Sequence, residues 1–188
     1  DRTVSSKSLF PYAEEDYGGI ALVQGNQHVL VATNSRRPTC VAGFTYTTIT
    51  GSGVNPAPLS GNGLTSGRVI LDADNNKITT VISGLYRITL HVQVSMTHSQ
   101  TTVQLFELIG SIYTDSDKQS PGLRMSTPFL GSYNCSGELT MYRNVVADRD
   151  ITAEILVSRT IHVSDPTVSG ELSVEWISES ADIVGLGT

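Results

Sequence analysis

The side chains that could do chemistry are few and lie far apart in this sequence. The four histidines are His28, His91, His98 and His162. None stands at the H-x-H or H-x-x-x-H spacing that brings two imidazoles to one metal ion. Asp72-x-Asp74-x-Asn76 begins like a calcium-binding loop, but Lys77 takes the place of its glycine and Ser83 that of its final acid. We therefore interpret this segment as a turn and expect neither a metal ion nor another cofactor.

Motifs for nucleophiles and phosphates are also missing. The chain has no G-x-S-x-G elbow, and the segment Gly61–Gly67 has one residue too many for a G-x-G-x-x-G loop. Tyr113, Tyr133 and Tyr142 would form a sugar-binding shelf if loops brought them together, and packing in a core or an interface is the other interpretation. We expect no catalytic residues, and a hydrolase on a sandwich fold is the third hypothesis for function.

Composition and charge exclude several classes of partner. The 188 residues carry a net charge of −6, whereas nucleic-acid binding needs clustered Lys and Arg. No apolar run approaches the roughly 20 residues of a membrane-spanning helix. Cys40 and Cys135 either form a disulfide or are two small buried hydrophobic residues, and both interpretations stay open. Asn134-Cys135-Ser136 is a glycosylation sequon, which matters only in a secretory host.

The segment that best reveals the secondary structure is Lys77 to Met96. After Gly84, the residues from Tyr86 to Met96 alternate strictly between apolar and polar side chains. A period of two is typical of a half-buried β-strand. A sheet with one apolar face has to cover that face with another layer, so this segment predicts a β-sandwich.

The rest of the chain repeats this β-rich pattern without a helical period. We predict a hairpin from residues 19–23 and 28–33, then strands at 40–50, 68–71, 77–82, 84–96, 102–109, 125–130, 136–146, 151–161 and 169–177. Thr102 to Ile109 is apolar on both faces, as in a strand deep in a sandwich or at a subunit interface. We predict loops at Gly51 to Gly67 and at Ser111 to Arg124. The expected fold is an all-β jelly roll, with an N-terminal arm and hairpin at 1–38, the sandwich at 39–178 and a tail at 179–188.

The run Gly84-Leu85-Tyr86-Arg87-Ile88-Thr89-Leu90-His91-Val92 resembles the G-x-Y strand of the tumour necrosis factor and complement globular-head superfamily. A turn and strand like 76–82 precede that motif in the family, and a late strand like 169–177 closes the fold. Bacteriophage virion proteins that carry this head have a similar order of segments. In this chain the order is 19–22, 26–33 and 44–48, followed by the Gly-rich stretch and 75–79. Collagen repeats, which precede the head in some animal members, are missing before Thr39.

The resemblance implies a homotrimer in which one sheet of each subunit faces the three-fold axis. It places Arg87, Thr89, His91 and Gln93 at that axis, and a merely solvated face is the alternative. Three copies of Arg87 would repel one another unless Glu107, Glu154 or another carboxylate paired with them. If three His91 side chains meet there, we expect acidification through about pH 6.5 to loosen the trimer.

The resemblance therefore predicts a structural protein of the bacteriophage virion, located on the capsid surface. It would act as a trimeric decoration protein bound to the major capsid protein, or as a fibre head that attaches to host surface glycans. The N-terminal arm would hold it to a neighbour. The arm residues expected to bind the capsid or a partner are Phe10, Tyr12, Tyr17, Arg36 and Arg37. The alternative is an extracellular receptor-binding or carbohydrate-binding module of the same superfamily.

Overall fold

Short runs rich in β-branched and aromatic residues form strands along the chain, as their intrinsic preference for extended backbone predicts. The computed structural model describes residues 19–24, 27–32, 37–46, 49, 53–64, 67–97, 103–159 and 166–179. These residues contain fourteen strands and no helix. The strands are β1 (Gly19–Gln24), β2 (Gln27–Ala32), β3 (Thr39–Tyr46), β4 (Gly53–Pro56), β5 (Ser60–Leu64), β6 (Val69–Asp72), β7 (Lys77–Thr80), β8 (Gly84–Thr97), β9 (Gln104–Thr114), β10 (Asp117–Lys118), β11 (Leu123–Phe129), β12 (Ser132–Val145), β13 (Arg149–Arg159) and β14 (Thr167–Ser178).

Two antiparallel sheets pack face to face, which confirms the all-β sandwich. The front sheet has five strands in the order β12-β8-β14-β3-β5. The back sheet has seven, in the order β10-β9-β13-β7-β6, with β11 also paired to β9 and β4 to β13. Strands β1 and β2 form a separate hairpin, as the sequence predicted. No helix capable of spanning a membrane occurs in the described part of the chain.

The predicted alternation of β8 is confirmed at every position. Its apolar residues, Tyr86, Ile88, Leu90, Val92, Val94 and Met96, are all buried against the back sheet. Phe106, Leu108 and Ile112 of β9 meet them from the other side, together with Ile151 and Ile155 of β13. The sheets approach so closely that a Cβ on Gly110 would lie 2.9 Å from Leu90 Cδ2.

The start of β8 explains the motif of glycine and tyrosine in physical terms. A Cβ on Gly84 would collide with Trp176 Nε1 and with the carbonyl oxygen of Ser178. The indole lies over this glycine and donates from Nε1 to the carbonyl oxygen of Ser83 at 3.2 Å. Two residues on, the buried hydroxyl of Tyr86 donates to the carbonyl oxygen of Ile82 at 2.5 Å. The motif therefore fixes the corner where the chain enters the front sheet.

The predicted loop from Gly51 to Gly67 is wrong, because this stretch contains β4 and β5. Strand β4 pairs with β13, and the amide of Ala57 extends this attachment by donating to the carbonyl oxygen of Ala153 at 2.8 Å. Strand β5 pairs with β3, where the hydroxyl of Ser60 donates to the carbonyl oxygen of Gly43 at 3.2 Å. Glycine and proline weaken an isolated strand, but β4 and β5 lie at sheet edges, where a longer partner supplies the ladder.

The predicted loop from Ser111 to Arg124 is largely strand as well. Strand β9 continues to Thr114, because Ile112 is buried in the core and this part of β9 pairs with β13. Residues 102–109 are predicted to lie deep in the sandwich or at a subunit interface, and the first of these is wrong. Val103 and Leu105 are 64% and 52% exposed in the single subunit, and the subunit interface stays a prediction.

The two cysteines are free thiols, so the described structure contains no disulfide between them. Cys40 is buried in β3 and Cys135 is half-buried in β12. Burial raises the pKa of the Cys40 thiol to about 11 and that of Cys135 above its ordinary value. Both behave as small hydrophobic side chains of the core.

Candidate functional site

The side of the front sheet that faces away from the core carries all four of the axis residues predicted on β8. We call this side the front face. Arg87, Thr89, His91 and Gln93 lie between buried neighbours on β8 and point outward, with Arg87 and Gln93 exposed and the other two half-buried. The structure therefore brings these four residues onto one surface.

Antiparallel pairing extends this surface over four strands. The rows across β12, β8, β14 and β3 are Tyr142, Arg87, Glu175 and Thr39; Thr140, Thr89, Ser173 and Val41; Glu138, His91, Glu171 and Gly43; and Ser136, Gln93, Ser169 and Thr45. Residues directly opposite on neighbouring strands have Cβ atoms about 4.5–5.5 Å apart, so side chains along a row contact one another. The front face is thus polar across β12, β8 and β14, and Val41 and Gly43 are its nonpolar positions on β3.

Its first row contains a charge cluster centred on Glu175. This carboxylate is only 15% exposed, and it accepts a hydrogen bond from Arg87 Nη2 and lies 3.6 Å from Arg37 Nη1. The negative charge of Glu175 raises the pKa of Arg87, with a further contribution from a hydrogen bond to Tyr142. Glu175 therefore pairs with Arg87 within the same subunit, although it shares its single negative charge with Arg37.

The two carboxylates named as candidate partners of Arg87 lie elsewhere. Glu107 accepts a hydrogen bond from Arg124 Nη2 at 2.9 Å, and Glu154 hydrogen-bonds Tyr113, which raises the pKa of that tyrosine. Both carboxylates belong to the back sheet and lie on its outward side, across the sandwich from Arg87. The actual partner of Arg87 is Glu175, 88 residues further along the chain. The sequence does not reveal this pair, because only the pairing of β14 with β8 brings the two side chains together.

The middle of the front face is uncharged, and the row beside it is acidic. Thr89 Oγ1 and Thr140 Oγ1 share a hydrogen bond of 3.0 Å. In the next row, His91 stands in register between Glu138 on β12 and Glu171 on β14. Within the described residues, no hydrogen bond joins His91 to a serine or a carboxylate.

Small residues leave two shallow hollows side by side in this face. The first has a volume of about 320 Å³, and its lining includes Gly43, Ser60, His91 and Glu171. The second is about 430 Å³, and its lining includes Ser95, Asn134 and Thr167. Gln93 and Ser169 line both hollows. Hydroxyl and amide groups at the rims suit contacts with polar side chains or water of another surface.

The remaining chemical candidates do not gather. Tyr142 lies on the front face, Tyr133 packs against the core from β12, and Tyr113 lies on the outward side of the back sheet, so the three form no sugar-binding shelf. The side chain of Asp72 accepts hydrogen bonds from the amide nitrogen and side chain of Asn75, which makes it part of a turn, as predicted. Within the described residues, no three His, Cys, Asp or Glu side chains are placed to hold a metal ion.

Of the residues predicted for the arm, Phe10, Tyr12, Tyr17 and Arg36 lie outside the described part of the chain. Arg37 is described, and its ion pair with Glu175 attaches it to the front face. The next residue, Pro38, is buried, and its carbonyl oxygen accepts a hydrogen bond from the amide of Trp176 at 2.9 Å. The chain is thus held to the sandwich from Arg37 onward.

Sequence reasoning missed the residues that β12 and β14 contribute to the front face. Glu175, Glu171 and Glu138 each stand opposite a β8 residue. The sequence signal for them was the alternation of Glu171, Ser173 and Glu175 with apolar residues. This alternation predicts that β14 has one polar side, but it does not identify the strand that pairs with β14.

No known protein-family model matches this chain, and no curated protein is similar enough to count as a relative.

Proposed function

We propose that this chain is a surface protein of a bacteriophage virion, a homotrimeric jelly roll that decorates the capsid or forms the head of a fibre. Trimerisation would join the subunits through the front face, and the assembled head would bind the major capsid protein or other virion proteins. The proposed action is assembly and stabilisation rather than catalysis.

The strand order supports the jelly-roll part of the proposal. We number the core strands from one to eight in chain order: β3, β7, β8, β9, β11, β12, β13 and β14. Core strands one, eight, three and six are then successive neighbours in the front sheet. Core strands two, seven, four and five are successive neighbours in the back sheet. A chain that wraps two Greek keys around a common core produces this arrangement.

The front face is the observation that carries the trimer. An interface between copies needs a centre with little charge and polar groups that find partners. The row of Thr89, Thr140 and Ser173 provides the uncharged centre, and Arg87 has a carboxylate partner, Glu175, within each subunit. The repulsion that three copies of Arg87 would otherwise create is thereby reduced.

The trimer can be tested with two matched threonine substitutions. Thr89 and Thr152 are both half-buried on inner strands of the sandwich, but Thr89 lies on the front face and Thr152 on the outward side of the back sheet. An unpaired charge buried at an interface costs about 3–5 kcal/mol. We therefore expect Thr89→Arg to weaken the trimer by at least about 100-fold, while Thr152→Arg leaves it intact.

Native mass spectrometry and sedimentation at micromolar concentration measure the outcome directly. A wild-type chain that stays monomeric would refute the trimer, and a trimer equally stable in both variants would refute the role of the front face. Recovery of the chain from purified virions tests the proposed location. A decoration protein and a fibre head differ in the number of copies per virion. Labelling of this chain on purified virions would measure that number.

A receptor-binding or carbohydrate-binding module is the second candidate, and Asn134 distinguishes it from the first. This sequon asparagine is exposed on β12 and borders the second hollow of the front face. A glycan there would hold copies of the front face apart. Glycosylation of Asn134 in the natural protein would therefore favour the second candidate, and an unmodified Asn134 in a trimer would favour the virion protein.

A further inference from the structure

The two halves of the front face differ in relief. On β12, every side chain that points outward between residues 132 and 144 is exposed. On β3, the outward residues Thr39 and Val41 are half-buried, and Gly43 is buried and has no side chain to present. The first hollow, of about 320 Å³, opens beside Gly43 and Ser60. We call the outward side chains of β12 the β12 ridge, and the recessed side formed by β14 and β3 the β3 half.

The first row of the front face carries an excess positive charge on its β3 half. Two guanidinium groups, those of Arg87 and Arg37, share the single carboxylate of Glu175. Of the described residues, no other carboxylate pairs with either arginine. Arg37 is the more open of the two, because its Nη1 lies 3.6 Å from Glu175 and its side chain is 50% exposed. A guanidinium has five N–H donors, so Glu175 leaves most of those of Arg37 available.

The opposite end of the same row presents an aromatic ring. Tyr142 is 54% exposed on the β12 ridge, and a hydrogen bond to Arg87 holds its hydroxyl. Three strand spacings, about 14 Å, separate β12 from β3 along the row. Arg87 and Glu175 lie between the two ends. The ring of Tyr142 and the guanidinium of Arg37 are therefore apart within one subunit.

Cyclic symmetry would bring these two ends together between neighbouring subunits. In a ring of identical chains, each chain contacts its two neighbours with different parts of its surface. A rotation about the axis also keeps the height of every residue along that axis. With the strands of the front sheet running along the axis, the β12 end of a row on one subunit meets the β3 end of the same row on the next.

An aromatic face is the group in this row that suits an excess positive charge. The face of a ring attracts a cation within about 6 Å of its centroid, and the attraction grows when both groups leave water. Glu175 is the only carboxylate of the row, and it is already shared. Tyr142 of a neighbouring subunit is thus the complementary partner for Arg37. Tyrosine and arginine are also enriched among the residues that dominate binding at interfaces.

We propose that the β12 ridge of each subunit packs into the β3 half of the next subunit, with the ring of Tyr142 on the guanidinium of Arg37. This inference rests on the proposed trimer and names the contact that joins its neighbours. The ridge and the recess are then the two complementary parts of one interface, which is repeated three times around the axis.

Sedimentation of the full-length chain over a range of concentrations tests the contribution of the ring. Tyr142→Ala removes the ring from three contacts, so we expect the association constant of the trimer to fall at least about tenfold. Tyr142→Phe keeps the ring and should keep most of the affinity. The matched control is Tyr113→Ala, on the outward side of the back sheet, which should leave the association constant unchanged.

A double-mutant cycle with Arg37→Gln tests the pair itself. If the two side chains contact each other across the interface, the double variant should lose less affinity than the product of the two single losses. The same cycle is then measured on the urea unfolding of a dissociated Thr89→Arg chain. It should show no coupling there, because Tyr142 and Arg37 are apart within one subunit.

The two proposals fail in different ways. A monomeric wild-type chain refutes the trimer, and this contact with it. A wild-type trimer that Tyr142→Ala leaves at full affinity overturns only the contact. Independent losses in the cycle, or equal coupling in the dissociated chain, overturn the pairing of Tyr142 with Arg37 between subunits. An intact Tyr142→Ala trimer that no longer binds to virions would assign this row to the capsid, which also overturns the inference.

Discussion

Substitution of Gly84 by alanine tests the packing at the start of β8. The added methyl group would collide with the indole of Trp176 and with the carbonyl oxygen of Ser178, and the second of these is backbone that cannot rotate away. Overpacking of this kind costs about 1–3 kcal/mol. A displaced indole also loses its hydrogen bond to Ser83, which contributes about 1 kcal/mol. The alanine also lowers the conformational entropy of the unfolded chain, which stabilises the folded state by about 0.4–1 kcal/mol.

The expected result for Gly84→Ala is therefore a loss of about 1–3.5 kcal/mol in the free energy of unfolding. Urea titration at fixed protein concentration measures it, because association alone also changes apparent stability. Trp176 is the only tryptophan, so its fluorescence reports on this corner directly.

The matched control is Gly67→Ala, at an exposed glycine with no atom within 4 Å of an added Cβ. It should leave stability unchanged or raise it by up to about 1 kcal/mol. Equal stability of the two variants, with an unchanged emission spectrum from Trp176, would refute the close packing of the indole on Gly84.

Three other perturbations have defined outcomes. Tyr86→Phe removes the hydroxyl that donates to the carbonyl oxygen of Ile82. Urea titration should find that the free energy of unfolding falls by about 1–3 kcal/mol. A variant as stable as wild type would mean that this buried hydrogen bond contributes nothing. Hydrogen bonds from the amide of Asp150 and from Arg149 hold the pKa of Asp115 below its ordinary value of 3.8, so its contribution to stability is present above about pH 4 and is lost as the pH falls through the lowered pKa. Asp115→Asn should therefore be less stable than wild type near pH 7 and equal to it at strongly acidic pH, and a constant difference across the titration would contradict this. With its pKa at about 11, the buried thiol of Cys40 should react with a thiol reagent near pH 8 more slowly than Cys135, and labelling in the reverse order would contradict the burial.

Periodicity predicted the strands that bury one face and failed where neighbouring strands decide the structure. Strand β8 was predictable from sequence because every second residue from Tyr86 to Met96 is apolar and buried. Strands β4 and β5 were not, because their glycines and prolines resemble a loop and their extended form depends on pairing with β13 and β3. Local sequence does not contain that information.

The same distinction applies to the candidate site. Alternation assigned Arg87 and Gln93 to the outward side of β8, and the structure places them there. It could not select Glu175 over Glu107 as the partner of Arg87, since the choice depends on which strands become neighbours in the sheet. In an antiparallel sheet the register determines such pairs, and a shift of one residue would move every side chain to the opposite face.

The neighbours of His91 also change the argument about acidification. From β8 alone, three protonated imidazoles at an axis would repel one another, and the trimer should loosen. In the sheet, each imidazole stands in register between Glu138 and Glu171. Two carboxylates of the same subunit close to each His91 would offset the repulsion between three charged imidazoles. Loosening on acidification stays a prediction. A His91→Gln variant tests it, because it removes the imidazole and keeps Glu138 and Glu171. If the variant dissociates over the same pH range as wild type, His91 does not control the response.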